Sequence, residues 1–143
     1  MFRIRQGAAG PAVHHDPETA LALTTPDWKE ESALKPLSSR YVPIDSLPWK
    51  PTPFPGIDMK ILMEDRETGL MTTLTRMAPG AVLPLHQHVE VEQSYVIEGR
   101  LVDDEGEVRA GGYVWRPGGN THTARAPEGA LILGMFLKPN RFL

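Results

Sequence analysis

The chain of 143 residues contains no cysteine, which excludes disulfide bonds, thiolate metal ligands and a cysteine nucleophile. It also lacks an apolar run of the roughly 20 residues that a membrane-spanning helix needs. Lysine and arginine form no long run, and the formal net charge is −3, so the sequence offers no basic surface for nucleic acid or an anionic membrane. No apolar stretch follows the first arginines, so a signal peptide is not expected. We therefore predict a cytoplasmic protein whose partner is a small molecule.

What the sequence has in quantity is glycine and proline, at 13 and 14 residues, and both residue types disfavour long helices. From residue 57 onward, short apolar and β-branched runs alternate with turn signals. These runs predict strands at residues 57–63, 70–77, 81–89, 92–98, 113–116, 122–126 and 130–137, and a hairpin about the turn at residues 103–106. About eight short strands of this spacing favour an all-β sandwich or closed barrel.

The N-terminal part has a different character. Residues 1–40 predict an irregular arm in which residues 17–22 and 26–33 could form short helical turns, and residues 41–143 predict the β-barrel domain. Residues 47–56 hold four prolines in ten positions, which excludes a helix and a central strand. We expect this segment to run extended over the barrel or onto a second copy of the chain, and we predict a homodimer.

Three histidines and one glutamate form a candidate metal site. His86 and His88 are two residues apart, so on a strand both side chains point to the same face with Cα atoms about 6.6 Å apart. Glu92 begins the next predicted strand, and His122 follows a glycine-rich turn after another. This mixed nitrogen and oxygen set suits one divalent ion of Fe(II), Mn, Co, Ni or Zn rather than Mg or Ca.

The spacing of these residues resembles the first motif of a known family. The run Gly80-x5-His86-x-His88-x3-Glu92-x6-Gly99 is similar to the first cupin motif at every specified position. The resemblance implies a double-stranded β-helix, which is a jelly-roll barrel, with the metal ligands pointing into its mouth.

The second cupin motif is also recognisable, in Gly111-x5-Pro117-x-Gly119-x2-His122. One position departs from the common pattern, because Ala126 stands where many cupins have an asparagine. That asparagine is usually structural, so the departure leaves the implied ligands His86, His88, Glu92 and His122 in place.

Over residues 41–143 the sequence resembles the small ChrR-like cupins, a group that includes acetylacetone dioxygenase and 2,4'-dihydroxyacetophenone dioxygenase. The resemblance implies a non-haem metal dioxygenase, with Fe(II), acting on a small dicarbonyl or hydroxyketone. Its alternative is a non-catalytic zinc-binding module with a sensing or regulatory role. Acetylacetone dioxygenase coordinates its metal with three histidines alone. Whether Glu92 contacts the ion directly in this chain therefore stays an open question.

Strand alternation predicts the residues around the site. If Glu92 points inward, so do Ser94 and Val96, and the intervening Gln93, Tyr95 and Ile97 point outward. Arg116 could anchor an anionic substrate, but the prediction is a charge on the barrel rim with surface partners.

Other side chains are expected to be structural. His14 and His15 precede the predicted strands and should lie on the surface. The apolar side chains in the strand patterns are predicted to line the barrel or fill its core; they are Met59, Met63, Met71, Met77, Met135, Trp115 and Phe136.

Overall fold

The computed structural model describes residues 10–14, 16–17 and 22–143. Within these residues it has two short 3₁₀ helices, Lys29–Ala33 and Ile44–Ser46, and eleven strands, which confirms the all-β prediction. None of the helices in the described part of the chain is long and apolar enough to cross a membrane. The strands are β1 Leu23–Thr24, β2 Lys50–Pro51, β3 Ile57–Asp65, β4 Met71–Met77, β5 Ala81–Gln87, β6 Glu92–Val102, β7 Glu107–Arg109, β8 Tyr113–Arg116, β9 Thr121–Ala126, β10 Ala130–Phe136 and β11 Arg141–Phe142.

The strands form one curled antiparallel sheet in the order β1-β3-β4-β10-β6-β9-β5-β11, and β2 pairs with β3 while β7 and β8 pair with β6. The long strand β6 joins the two sides of this sheet. Its first half pairs with β8 and β10, and its second half pairs with β7 and β9. The hairpin predicted about residues 103–106 is the β6–β7 connection, where Val102 pairs with Glu107.

Side-chain alternation along β6 is as the sequence predicts. Glu92, Ser94 and Val96 are buried, whereas Tyr95 and Ile97 are exposed. In β9 the same alternation buries His122, Ala124 and Ala126. The inner face of the sheet therefore carries both the core and the polar side chains that could hold a ligand.

Ala126, at the position where many cupins have an asparagine, is part of the apolar core. Its side chain is fully buried, and it belongs to the core cluster with Ile57, Met77, Leu101 and Ile132. Its Cα lies opposite Ala81 on β5. A small apolar residue fits this position, since a buried asparagine would need hydrogen-bond partners that an apolar core does not supply.

Two of the residues predicted as interior, Met135 and Trp115, lie outside. Their side chains are 40% and 59% exposed. Both residues lie directly opposite Gln93, Met135 on β10 and Trp115 on β8. Directly opposed residues share a face of an antiparallel sheet, and Gln93 belongs to the outward set, so this part of the prediction was wrong. Phe136, one position on from Met135, lines the internal cavity.

The proline-rich segment packs along the edge of the sheet. Within it, β2 pairs with β3 through Lys50 and Met59. The buried Lys60 on β3 donates a hydrogen bond at 2.8 Å to the carbonyl of Ile44, which lies just before the segment. The Nζ atom of Lys60 also lies 4.8 Å from the centre of the Trp49 ring, within the segment. These contacts hold the segment against the edge of the sheet, where residues 50–54 line the internal cavity.

The helical turn predicted at residues 26–33 is present as the 3₁₀ helix Lys29–Ala33. Most of the turn predicted at residues 17–22, and His15, lie outside the described residues. His14 is exposed. The domain division at residue 40 and the homodimer stay predictions.

The turn glycines allow a direct test of the barrel's packing. Gly99 and Gly80 both have positive φ, +70° and +82°. A Cβ added at Gly99 would lie 2.0 Å from the carbonyl oxygen of Gly129, whereas one at Gly80 would have no atom within 4 Å. We expect Gly80→Ala to lower the free energy of unfolding by about 1–2 kcal/mol through backbone strain. Gly99→Ala should lose a further ~1–3 kcal/mol through overpacking.

Urea unfolding followed by tryptophan fluorescence measures both variants. Gly80→Ala is the control for backbone strain. Equal losses in the two variants would show that the close approach of Gly99 and Gly129 has no energetic consequence.

Candidate metal centre

Two neighbouring strands bring the histidines together. His86 on β5 and His122 on β9 are direct Cα partners in the antiparallel ladder. His88 lies one residue beyond the end of β5. Its amide donates to the carbonyl of Asn120 at 2.9 Å, and its carbonyl accepts from Gly119 at 2.7 Å. The glycine-rich turn before β9 therefore fixes the backbone of His88 beside His122.

The three rings lie close enough to share one ion. Ring centroids are 4.9 Å apart for His86 and His88, 4.6 Å for His86 and His122, and 5.0 Å for His88 and His122. One ring nitrogen from each residue lies within 4.8 Å of the others, and all three side chains are buried. This is a group that could hold a metal ion.

Each imidazole uses its Nδ1 atom for a hydrogen bond to a fixed acceptor. Such a bond sets the tautomer and leaves Nε2 with a lone pair, as in known metal sites. The acceptors are the carbonyl oxygen of Pro84 for His86 at 2.8 Å, Asn140 Oδ1 for His88 at 3.0 Å and Asp103 Oδ2 for His122 at 2.9 Å.

The remaining nitrogens are suited to a metal ion. Among the described residues, His88 Nε2 is a buried atom without a hydrogen-bond partner, which is costly unless something else binds it. Burial lowers the pKa of His86 and of His122, and for His122 the positive charge of Arg116 lowers it further. These two imidazoles are therefore neutral and can donate lone pairs.

Glu92 lies next to this cluster but outside the group of close ligand atoms. Its Oε2 is 3.3 Å from His88 Nδ1 and 3.4 Å from Asn140 Nδ2. Burial alone would raise the pKa of Glu92, but the contacts with His88 and the charge of Arg116 outweigh it, so the pKa lies below its ordinary value. Glu92 is therefore an ionised carboxylate beside the histidines, and its role as a ligand stays a prediction.

Arg116 differs from its predicted role as a rim charge with surface partners. Its side chain is 8% exposed, and its Nη2 donates to Asp103 Oδ2 at 2.8 Å. Its Nη1 is 3.6 Å from Glu92 Oε1. The prediction was wrong because Arg116 is the last residue of β8 and lies opposite Glu92 in the sheet register, so its side chain shares the inner face.

Asp103 and Asn140 are site residues that the sequence did not reveal. The sequence marks Asp103 only as a turn residue, and its pairing with His122 crosses 19 positions of the chain. Burial alone would raise the pKa of Asp103, but hydrogen bonds from Arg116 and His122 lower it to about 2. Asn140 reaches His88 across 52 positions, and only its place just before β11 could have suggested a structural role.

The buried charges around the histidines do not balance. Arg116 contributes one positive charge, while Glu92 and Asp103 each contribute a negative one because both carboxyl pKa values are lowered. Leaving the imidazoles aside, these three side chains therefore carry a net charge of −1. A buried excess of negative charge favours a bound cation.

A cavity of about 480 Å³ opens from the cluster through the interior of the barrel. His86, Glu92 and His122 lie at its polar end. Its walls are mostly apolar, and they include Met59, Ile61, Met71, Met77, Leu83 and Phe136.

The sequence matches one family model. This model, of the ChrR cupin-like domain, covers residues 38–140 of the chain. None of the curated proteins compared with the chain matches it.

Solved structures with the same fold include enzymes. A candidate acetylacetone dioxygenase from Methylibium petroleiphilum PM1 superposes with a TM-score of 0.70 at 25% identity, over 75% of this chain and 82% of the other. The acetylacetone dioxygenase from Acinetobacter johnsonii superposes with a TM-score of 0.68 at 22% identity, over 74% of this chain and 78% of the other. The polyketide cyclase RemF from Streptomyces resistomycificus superposes with a TM-score of 0.61 at 18% identity, over 74% of this chain and 86% of the other. At these lower identities the last two show the fold alone.

The Asp103–His122 hydrogen bond predicts a selective loss of metal affinity. Asp103→Asn removes the charge that orients the imidazole, and losses of an outer partner of this kind typically weaken metal binding about 10–100-fold. The adjacent Asp104 has a side chain that is 89% exposed, so Asp104→Asn is the matched control and should bind as the parent does.

Competition with a chromophoric chelator measures the Zn(II) dissociation constant of each variant. Equal constants for Asp103→Asn and the parent would contradict the assigned role of Asp103, provided that the circular dichroism spectra agree.

Proposed function

This chain belongs to the family of ChrR cupin-like domains, and from that premise we propose that it is a metal-dependent dioxygenase acting on a small dicarbonyl or hydroxyketone. The observation that carries the proposal is the three-histidine cluster, of which His86 and His122 line a mostly apolar cavity. The chain also shares 25% of its aligned residues with a candidate acetylacetone dioxygenase of the same fold.

In this proposal His86, His88 and His122 hold one divalent transition metal through their Nε2 atoms. Bound there, Fe(II) would polarise the oxygens of a chelating substrate and supply electrons to O₂. The acceptors on the three Nδ1 atoms orient the imidazoles, and burial keeps His86 and His122 neutral. Because these side chains are buried, the site needs little rearrangement to bind the ion.

The cavity walls indicate the type of substrate. Methionine, leucine, isoleucine and phenylalanine side chains favour the hydrocarbon part of a ligand and exclude water. Among the cavity-lining residues, Lys50 carries a positive charge, and it is paired with Asp27. Among the described lining residues there is thus no unpaired lysine or arginine for a carboxylate or phosphate group, which supports an uncharged ketone that chelates through two oxygens.

A second candidate is a zinc-binding module with a sensing or regulatory role. It follows from the resemblance to ChrR-like cupins, and aromatic side chains lie exposed on the outer face of the sheet, where a partner could contact them. These are Tyr95, Tyr113 and Trp115. The apolar cavity has no evident use in such a module, so we prefer the enzyme.

Metal analysis and oxygen consumption separate the two functions. Protein purified without chelator is analysed for metal, and protein reconstituted with Fe(II) is assayed in an oxygen electrode with a panel of β-diketones and hydroxyketones. We expect O₂ uptake with uncharged substrates and none with analogues that carry a carboxylate. The His86→Ala/His88→Ala variant is the control and should be inactive and free of metal. Tightly bound zinc and no uptake on any substrate would favour the sensing module.

Phe142 predicts an effect on substrate binding. Its ring packs 4.6 Å from that of Phe54 and 5.5 Å from that of His86, and both phenylalanines line the cavity. Phe142→Ala removes apolar surface beside the cluster, so we expect the KM of a small diketone to rise about tenfold, which corresponds to ~1.4 kcal/mol. The kcat should change little, since Phe142 has no polar group to offer the reaction.

Steady-state oxygen uptake measures both constants. Tyr113→Ala is the control, because Tyr113 is an exposed aromatic residue outside the cavity. An unchanged KM in Phe142→Ala, or an equal rise in both variants, would contradict the role of Phe142.

A further inference from the structure

Two threonine side chains interrupt the apolar wall of the cavity. Thr73 and Thr75 line the cavity from β4, between Met71 and Met77, and residues two apart on a strand share a face. Their Oγ1 atoms lie 3.3 Å apart. Thr73 is fully buried, whereas Thr75 is only partly buried. This threonine pair therefore presents a hydroxyl, that of Thr75, to the space inside the barrel.

The threonine pair has more hydrogen-bonding capacity than the protein uses. Each hydroxyl has one proton to donate, and the contact between the two uses only one of these protons, whichever atom donates. Within the described part of the chain, neither hydroxyl has a further partner. Donation from Thr73 to Thr75 leaves the Thr75 proton for a molecule in the cavity. Such a molecule would remove the cost of an unpaired hydroxyl in apolar surroundings.

A glycine leaves space next to the threonine pair. Gly134, in the middle of β10, lies opposite Thr73 on β4 and opposite Ser94 on β6. Its φ is not positive, and the nearest neighbours of an added Cβ, Thr73 Oγ1 and the Phe136 ring, would be 3.5 Å away, an ordinary contact. Neither backbone geometry nor packing therefore requires glycine at this position. A glycine inside a strand often marks a place where a ligand approaches closely.

The threonine pair is remote from the polar end of the cavity. One strand, β10, separates β4 from β6, which carries Glu92. At the usual spacing of neighbouring strands, β4 and β6 are about 10 Å apart across the sheet. The cavity-lining side chains of β10 between them, Ile132 and Phe136, are apolar. A molecule held at the polar end would therefore reach Thr75 only with a group about the length of an aromatic ring away.

We propose that Thr75, held by Thr73, is a specificity-determining residue that donates a hydrogen bond to a hydroxyl or carbonyl oxygen at the far end of the substrate. The proposal rests on the proposed function and narrows its substrate class to ketones with a further polar oxygen remote from the chelating pair. A ligand with only hydrocarbon at that end would displace water from Thr75 without replacing its hydrogen bond, and such a displacement lowers affinity.

Two ligands that differ in one group test the proposal by binding alone. One is a phenyl-substituted β-diketone with a para-hydroxyl group, and the other has a para-methyl group of similar size in its place. Calorimetric titration of the Zn(II)-loaded chain gives the dissociation constant of each ligand. We expect the hydroxyl ligand to bind about fivefold more tightly, which is the usual contribution of one hydrogen bond.

A valine variant assigns this preference to one side chain. Thr75→Val keeps the size of the side chain and removes its hydroxyl, so the preference for the hydroxyl ligand should disappear. Thr72→Val is the matched control, because Thr72 lies on the same strand but opposite the exposed Met135, and so faces outward. It should keep the preference of the parent. Thermal unfolding and circular dichroism establish that both variants are folded.

The outcomes separate this inference from the proposed function. Equal affinities of the parent for the two ligands, or a preference that persists in Thr75→Val, would overturn the inference alone. A clear preference in the parent that Thr75→Val loses would support it, even if the Fe(II)-loaded protein consumes no O₂ and the proposed function fails. Binding of neither ligand would overturn both. The comparison of the two ligands on the parent is decisive even if Thr75→Val does not fold.

Discussion

The direct pairing of His86 with His122 across β5 and β9 is the constraint on which the site depends. Paired residues of an antiparallel ladder point to the same face, so one register places two imidazoles side by side. The same ladder fixes His88, because the turn that precedes β9 binds its backbone through Gly119 and Asn120. A slip of one residue would turn His122 to the outside. The register that closes the barrel is therefore also the register that assembles the cluster.

The interior of the barrel has a polar end and a mostly apolar remainder. The histidines and their acceptors occupy one end, where each buried polar group finds a partner except His88 Nε2 and Asn120 Oδ1 among the described side chains. Methionine and branched side chains line the remaining cavity. Electrostatic interactions are stronger in a buried, mostly apolar space than in water. An ion bound there would act on a substrate whose apolar part has displaced water from the cavity.

Alternation and motif spacing were sufficient to predict strands β3 to β10, the inward set on β6 and the residues that now form the histidine cluster. They were sufficient because each depends on local sequence: a period of two fixes the face of every residue on a strand. Arg116, Trp115 and Met135 were misjudged since their faces depend on which strand pairs with which, and in what register. Asp103 and Asn140 were missed for the same reason, because their partners lie 19 and 52 residues away.

Asp103 connects the folding of the barrel with the organisation of the site. Its Oδ1 accepts hydrogen bonds from the amides of Glu105 and Gly106 at 2.9 and 3.0 Å, which closes the β6–β7 turn. Its Oδ2 holds His122 and Arg116. One carboxylate thus anchors the turn and orients an imidazole of the candidate metal site. Because an ion that binds only the folded state stabilises it, metal binding and closure of this turn should reinforce each other. The residue that the sequence marks as a simple turn former therefore connects the β6–β7 turn with the candidate metal site.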